Sequence, residues 1–286
     1  VRADVLDMLA PTLSAAEKTL FTEPLSFYKT ALSGLPLELG QLGYRDISRP
    51  VDMGLIEKSF LSPLVEVKKF IPVKSAIHDL RSPNKSRSAY ARRVNELFSS
   101  VLRAHTLQNH TPPANTELVR RRFRLYQVLE KQERIVKKEV LAILRNKLHE
   151  VSDLAWGLLQ CETFYLDDQT YGRFSSKVDF LRFLDKLATK KQTQRALRAD
   201  APAPAALSIP DDACHYDEQC LRTLSVREMA RIQTFPDNFV FRSKVTTGGT
   251  ARRFQVPQYT QVGNAVPPVL GRALGFAIKN LLLRIK

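Results

Sequence analysis

Three groups of side chains have types and spacings that could do chemistry. The first is nucleophilic: Cys161, Cys214 and Cys220. Their spacing fits neither a metal site nor a redox pair, and their odd number suits a reducing cytoplasm. The second is His105 and His110, which would suggest a metal. With no cysteine or carboxylate at ligand spacing, none is expected. The third is polar and basic. The row Thr189-Lys190-Lys191-Gln192-Thr193-Gln194-Arg195 lines up side chains that read base edges and grip phosphates: Arg for guanine, Gln for adenine, Lys and Thr for phosphate. A plain surface loop has the same composition. A second cluster, Arg120, Arg121, Arg122 and Arg124, has only Glu117 as a nearby acid along the chain. It either tracks DNA phosphates or belongs to a solvated helix face balanced by Glu130, Glu133 and Glu139.

Helices must position most of these groups. From 116 to 160, Val119, Phe123, Tyr126, Leu129, Val136, Val140, Leu144, Leu148 and Val151 recur every three to four residues, which predicts one or two amphipathic helices with a break near Gln132 or Asn146. Further helices are expected over Val73–Leu80, about Ala89–Ala104, and Phe180–Leu187. Ala201–Pro210 reads as a Pro/Ala linker, and Gly248-Gly249 as a turn beside Arg252 and Arg253. Ser225 and Glu228 form an S-x-x-E capping box, so a helix starts at Val226 and ends before Pro236. Arg227 and Arg231 stand one turn apart on it. Gly263 and Asn264 tolerate left-handed backbone, and Pro267 or Pro268 suits the first turn of an apolar final helix. Short strands are expected around Phe239–Phe241 and Tyr259–Val262. The fold class is mainly α with some β.

The chain has 286 residues, 44% hydrophobic and 26% charged, an ordinary globular composition. Its formal net charge of +15 makes a polyanion a fair partner. No run of eighteen apolar residues occurs and no membrane span is expected.

Arg227 to Asp237 fits R-x-x-x-R-x-Q-x-F-P-D, and Gln261 to Pro267 fits Q-x-G-N-x-V-P. In this order, near the end of the chain, they resemble the motifs usually numbered IX and X of the DNA cytosine-5 methyltransferases. Val73 to Leu80 is similar to the V-x-x-A-I-x-D-L segment that precedes the family's recognition region, and Asn109-His110 echoes an Asn-His pair near there. Val1 to Val5 looks like the tail after the family's motif VIII. The resemblance implies three parts: a connector over 1–80, a target-recognition region over 81–205, and a motif IX–X segment over 206–286. That last segment belongs to a Rossmann-like α/β methyltransferase domain completed in trans. It also implies S-adenosylmethionine as methyl donor, with Asn264, Ala265 and Val266 at the positions that help line its pocket. The row Thr189, Lys190, Lys191, Gln194 and Arg195, with Arg120 and Arg121, falls to double-stranded DNA. Arg227, Arg231, Gln233, Pro236 and Asp237 of motif IX are expected to be structural first.

The family's chemistry needs a cysteine thiolate to attack cytosine C6, because C5 is a poor nucleophile by itself. That thiolate sits in a Pro-Cys loop, yet Cys161, Cys214 and Cys220 follow Gln160, Ala213 and Gln219. The Gly-rich cofactor turn, Glu-Asn-Val and Gln-x-Arg-x-Arg are also missing from this sequence. No catalytic residue is therefore assigned, and the expected role is the recognition-bearing subunit or C-terminal half of a cytosine-5 methyltransferase of a prokaryotic cytosol. A partner carrying the cysteine would complete it. The alternatives are a fragment of a single-chain enzyme, a catalytically dead DNA-binding relic, or an unrelated basic helical protein.

Overall fold

A computed structural model describes residues 58–59, 61–64, 70–82, 86–99, 107–191, 194–204, 213–246 and 254–285. They fall into two compact units, one of residues 70–265 and one combining 1–69 with 266–286. Expectations on residues 1–57, on Gln192 and Thr193, and on Gly248-Gly249 with Arg252 and Arg253 lie outside the described residues.

The larger unit has two apolar cores. Helices α1 (Val73–Ile77), α2 (Ala89–Leu97), α3 (Glu117–Leu129), α4 (Arg134–Leu144), α5 (Asp153–Leu159) and α6 (Lys177–Lys186) precede α7 (Val226–Ile232) and α8 (Gln258–Asn264). The helix from Ala89 stops at Leu97, and the long amphipathic run breaks between α3 and α4, around Gln132. Asn146, with φ 55°, marks the turn after α4. The first core gathers α3, α4, α5 and α6 around Phe123, Leu129, Val140, Phe164, Phe180 and Leu184. Phe164, Phe174, Phe180 and Phe183 pack together within it, mostly tilted or edge to face with Phe180 and Phe183 stacked, their centroids 5.0 to 6.3 Å apart. The second core joins α1, α7 and α8 through Ile77, Leu224, Ala230, Phe235, Phe241, Tyr259 and Val262.

Among the described residues the unit has four strands of two residues each: an antiparallel hairpin of β1 (Phe164–Tyr165) and β2 (Tyr171–Gly172), and a parallel pair of β3 (Arg195–Ala196) and β4 (Ala213–Cys214). Side chains alternate across a strand. Ala196 and Cys214 accordingly pack in the first core, while the adjoining Leu197 and Ala213 pack in the second. The parallel pair is thus the seam between the two.

The strands expected at Phe239–Phe241 and Tyr259–Val262 are not formed. Residues 259–262 lie in α8, where i,i+3 spacing puts Tyr259 and Val262 on one face, both buried. A strand would have split them between opposite faces. At 239–241 side chains take the place of a neighbouring strand. Asn109 Oδ1 accepts from the Phe241 amide and its Nδ2 donates to the Phe241 carbonyl, while Arg227 donates to the carbonyl of Phe239. Asn264 is not left-handed either: it is the last residue of α8, and Ala265 leaves in an extended conformation.

In the other unit, α9 (Pro268–Ile285) packs against the 3-10 turn Ser62–Leu64. Leu270, Leu274, Ile278 and Leu282, four residues apart along one face, are exposed. By length and composition alone, Gln258–Leu283 includes a window apolar enough to cross a membrane, although polar residues interrupt it.

Candidate functional site

The α7 segment is a hub of buried arginine. Ser225 caps the helix: its Oγ accepts from the Glu228 amide, and the Glu228 carboxylate accepts from the Ser225 amide. Arg222 grips that carboxylate with two bonds of 2.7 and 2.8 Å. Burial opposes the Glu228 charge, but Arg222 outweighs it and holds the carboxyl below its usual range. His215 Nε2 lies 3.9 Å from Glu228, fully buried. Its Nδ1 accepts from the Asp217 amide, so the neutral ring carries its proton on Nε2. Burial pushes its pKa down to about 4.

Arg227 is fully buried and donates to three carbonyls: Gln108, Pro236 and Phe239. Burial lowers its pKa to about 10. Arg231 binds Asp237 through Nε and Nη2 at 2.7 and 2.9 Å, and Asp79 through Nη1 at 2.7 and 2.8 Å. It also donates to the carbonyl of Ala76, at the end of α1. Burial works against the Arg231 charge, but the two carboxylates outweigh it and raise its pKa. Asp237 is held below the usual range, Arg231 outweighing the effect of burial. Pro236 carries the backbone around to Asp237, whose amide donates to Asn95 Oδ1. Gln233 faces the other way. Its Nε2 donates to the carbonyls of Val262 and Ala265 at 3.5 and 3.3 Å, joining α7 to the end of α8. Just beyond, Asn264 and Val266 are exposed and Ala265 is half-buried.

The two basic clusters fare differently. The Thr189 amide donates to the carbonyl of Leu144 at 2.8 Å. Lys190 and Lys191 thereby emerge next to Arg145 and Lys147, which follow α4, and Lys147, Lys190, Lys191 and Arg195 are all exposed. Gln194 is withdrawn from this row. It is 5% exposed, so its amide is not presented to a base edge. The Arg120–Arg124 cluster meets acids that sequence distance hid. Arg121 pairs with Asp167 at 2.7 Å and Arg124 with Glu218 at 3.1 Å. Arg120 pairs with Glu117 and lies over the Tyr165 ring. Arg122 is buried and donates to the carbonyls of Leu187 and Ala188. Glu117 is thus not the cluster's sole acid: Asp167 and Glu218 join it, and neither is one of the three glutamates that sequence proximity offered.

Sequence reasoning gave too little weight to Asn109-His110. Asn109, with φ 61°, bonds Phe241 twice and Gln258 once, and its carbonyl accepts from the Arg227 amide. His110 bridges Ser225 Oγ and the Leu80 carbonyl, each at 2.8 Å. Leu80 can only accept, so Nε2 holds the proton and the Ser225 hydroxyl donates to Nδ1. The Asn-His echo was the available signal. Of the cysteines, Cys214 is buried and its thiol pKa is pushed up by burial, as is that of half-buried Cys220; Cys161 is exposed.

With this geometry in place, comparison with known proteins defines the class. Residues 64–280 match the family model of the C-5 cytosine-specific DNA methylases. The chain belongs to that family, whose members take a methyl group from S-adenosylmethionine. It is 48% identical over 73 residues to the type II methyltransferase M.Bpa9945I of Bacillus paralicheniformis, 24% of this chain and 14% of that protein. It is 34% identical over 110 residues to the type II methyltransferase M.AgeI of Thalassovita gelatinovora, 38% of this chain and 23% of that protein. These alignments span less than a quarter of either relative. A third relative, the type II methyltransferase M.AquIB of Picosynechococcus, is 35% identical over 103 residues, 35% of this chain but 73% of that protein.

Proposed function

We propose that this chain is the recognition-bearing subunit or C-terminal half of a DNA cytosine-5 methyltransferase, and that residues outside its 286 supply the nucleophilic cysteine and most of the cofactor pocket. The observation that carries this reading is complete motifs IX and X beside three cysteines of which none follows a proline. The M.AquIB alignment supports it, since a type II methyltransferase polypeptide can consist largely of this region. The exposed stripe Leu270, Leu274, Ile278 and Leu282 supports it too. An apolar face of that length calls for a cover, and the catalytic half is its natural occupant.

In this reading Lys190, Lys191 and Arg195, with Lys147 beside them, contact double-stranded DNA. Arg120 and Arg121 contribute at most through whatever charge their acid partners leave uncompensated. Arg227, Arg231, Pro236 and Asp237 hold α1, α7 and the Asn109 loop together, so that the recognition region has a fixed base. Asn264, Ala265 and Val266 fit one wall of an S-adenosylmethionine site: an exposed amide and aliphatic groups suit a nucleoside's polar edge and apolar face. The cofactor supplies the methyl group, and Gln233 fixes the backbone that carries Ala265. The assembled enzyme acts in the cytosol as part of a restriction–modification system. The test is to express the chain with and without its neighbouring reading frames and measure methyl transfer from labelled S-adenosylmethionine to DNA. Activity is expected only in the combination; methylation by the chain alone rejects the proposal.

A further inference from the structure

We propose that the loop between α7 and α8 carries a DNA wedge. Phe254 packs against the bases of duplex DNA while Arg242 and Lys244 hold the neighbouring phosphates. The inference rests on the DNA-binding part of the function proposed above and adds a site to it.

Phe254 is 87% exposed, the most exposed large apolar side chain among the described residues. Val245 and Val256, on the two arms of the same loop, are exposed as well. Such a cluster would be unremarkable on a loose loop, but this one has a fixed stem. Gln258 Nε2 donates to the carbonyl of Ser243 at 2.8 Å, and the Gln258 amide donates to that of Lys244 at 2.9 Å. Gln261 Nε2 donates to the carbonyls of Arg242 and Val256, both at 2.9 Å, and so ties the outgoing arm to the returning one. Ser243 adopts φ 81°, a left-handed conformation held by these bonds. Phe254 stands two residues from a tethered carbonyl and is presented to solvent on a short leash.

Charge says what should cover it. From Asn238 to the end, the sequence contains no Asp or Glu. Arg242 and Lys244 are exposed on the outgoing arm, and Arg252 and Arg253 immediately precede Phe254 in the chain. An arm whose exposed Arg242 and Lys244 meet no carboxylate among the described residues selects a polyanion, and an exposed aromatic ring on the same loop selects one with flat apolar faces. Nucleic acid has both properties, and apolar side chains that enter base steps are an established mode of duplex binding.

The experiment measures fluorescence anisotropy of a labelled mixed-sequence duplex with the full chain across a salt series. Phe254→Ala should weaken binding roughly 5- to 100-fold with little change in salt slope. Phe254→Trp should retain affinity, and its emission should change on adding DNA. Arg242→Ala with Lys244→Ala should instead lower the slope of log affinity against log salt by roughly 1 to 2. If the wild-type chain binds DNA and Phe254→Ala binds equally well, the wedge is overturned while the DNA-binding reading survives. Loss of association with the catalytic half alone would overturn it too, because the ring then covers a protein surface. If the wild-type chain binds no DNA, the underlying reading falls and the wedge with it.

Discussion

Replacing Arg231 by methionine keeps an unbranched apolar stem and removes the charge and the donors. In the native protein Arg231 is 2% exposed and satisfies Asp237, which is itself buried, together with Asp79 and the Ala76 carbonyl. Breaking a buried pair by deleting one partner costs about 3–5 kcal/mol, because the surviving charge stays out of water. Two features shift the figure. Arg87 lies 3.3 Å from Asp237 and keeps part of its compensation. The orphaned Ala76 carbonyl adds roughly 1–3 kcal/mol where water cannot reach it. A loss of about 4 kcal/mol is the expected result, a large share of the roughly 5–15 kcal/mol that keeps a typical domain folded. Urea unfolding of the full chain at neutral pH, followed by circular dichroism, measures it. The pH dependence gives a second reading. Asp237 has a depressed pKa in the native protein, so its pairing stabilises above the ordinary carboxylate pKa and is lost as pH falls through the folded value. In Arg231→Met the same carboxylate is buried without its main cation and its pKa rises. The deficit against wild type should therefore shrink as pH drops from 7 toward 4. Adding Asp237→Asn should recover part of the loss by removing the stranded charge. A variant within about 1 kcal/mol of wild type, or a double variant no better than the single one, would refute the account of Arg231 as a buried clamp.

His215 predicts a distinct acid response. Burial lowers its pKa from the ordinary 6.5 to about 4, so the unfolded chain binds the extra proton first. Stability is then full above pH 6.5 and falls as pH drops from there to 4, by about 3 kcal/mol at 1.36 kcal/mol per unit. His215→Asn should flatten that limb in a urea series across the window, and an unchanged limb would sink the assignment. At the recognition corner, replacing Lys147, Lys190 and Lys191 by alanine should leave stability within roughly 0.5 kcal/mol. The same triple variant should lower the salt slope of duplex binding by roughly 2 to 3, in filter-binding or anisotropy assays. An unchanged slope would remove this corner from the DNA interface.

What could be read from the sequence was local. The Ser225–Glu228 capping box spans four residues, and the helix it predicts begins at Val226. Pro268 opens α9, and the amphipathic run breaks around Gln132, because each signal acts within a turn of itself. Periodicity misled at Tyr259–Val262, where four residues are too few to separate a period of two from one of 3.6. Partnerships over long separations were invisible. Arg121 meets Asp167 and Arg124 meets Glu218 only after the hairpin and the 215–219 segment have folded onto α3. Asn109 reaches Phe241 across 132 positions, so nothing around either residue announces the bond.

These long-range partnerships also separate two uses of positive charge that composition adds together. Arg122, Arg124, Arg227 and Arg231 are each at most 8% exposed, and every one donates to main-chain carbonyls. A planar guanidinium with five N–H groups can satisfy several fixed acceptors at once, which a lysine ammonium on its flexible stem does poorly. Arginine therefore serves here as an interior clamp, and the motif IX pair does so where α1, α7 and the Asn109 segment meet. Exposed cations stand elsewhere, Lys147, Lys190, Lys191, Arg195, Arg242 and Lys244 among them. The net charge of +15 is thus a poor measure of the cationic surface open to solvent. The arginines that make the family motif recognisable are among the least exposed of those described.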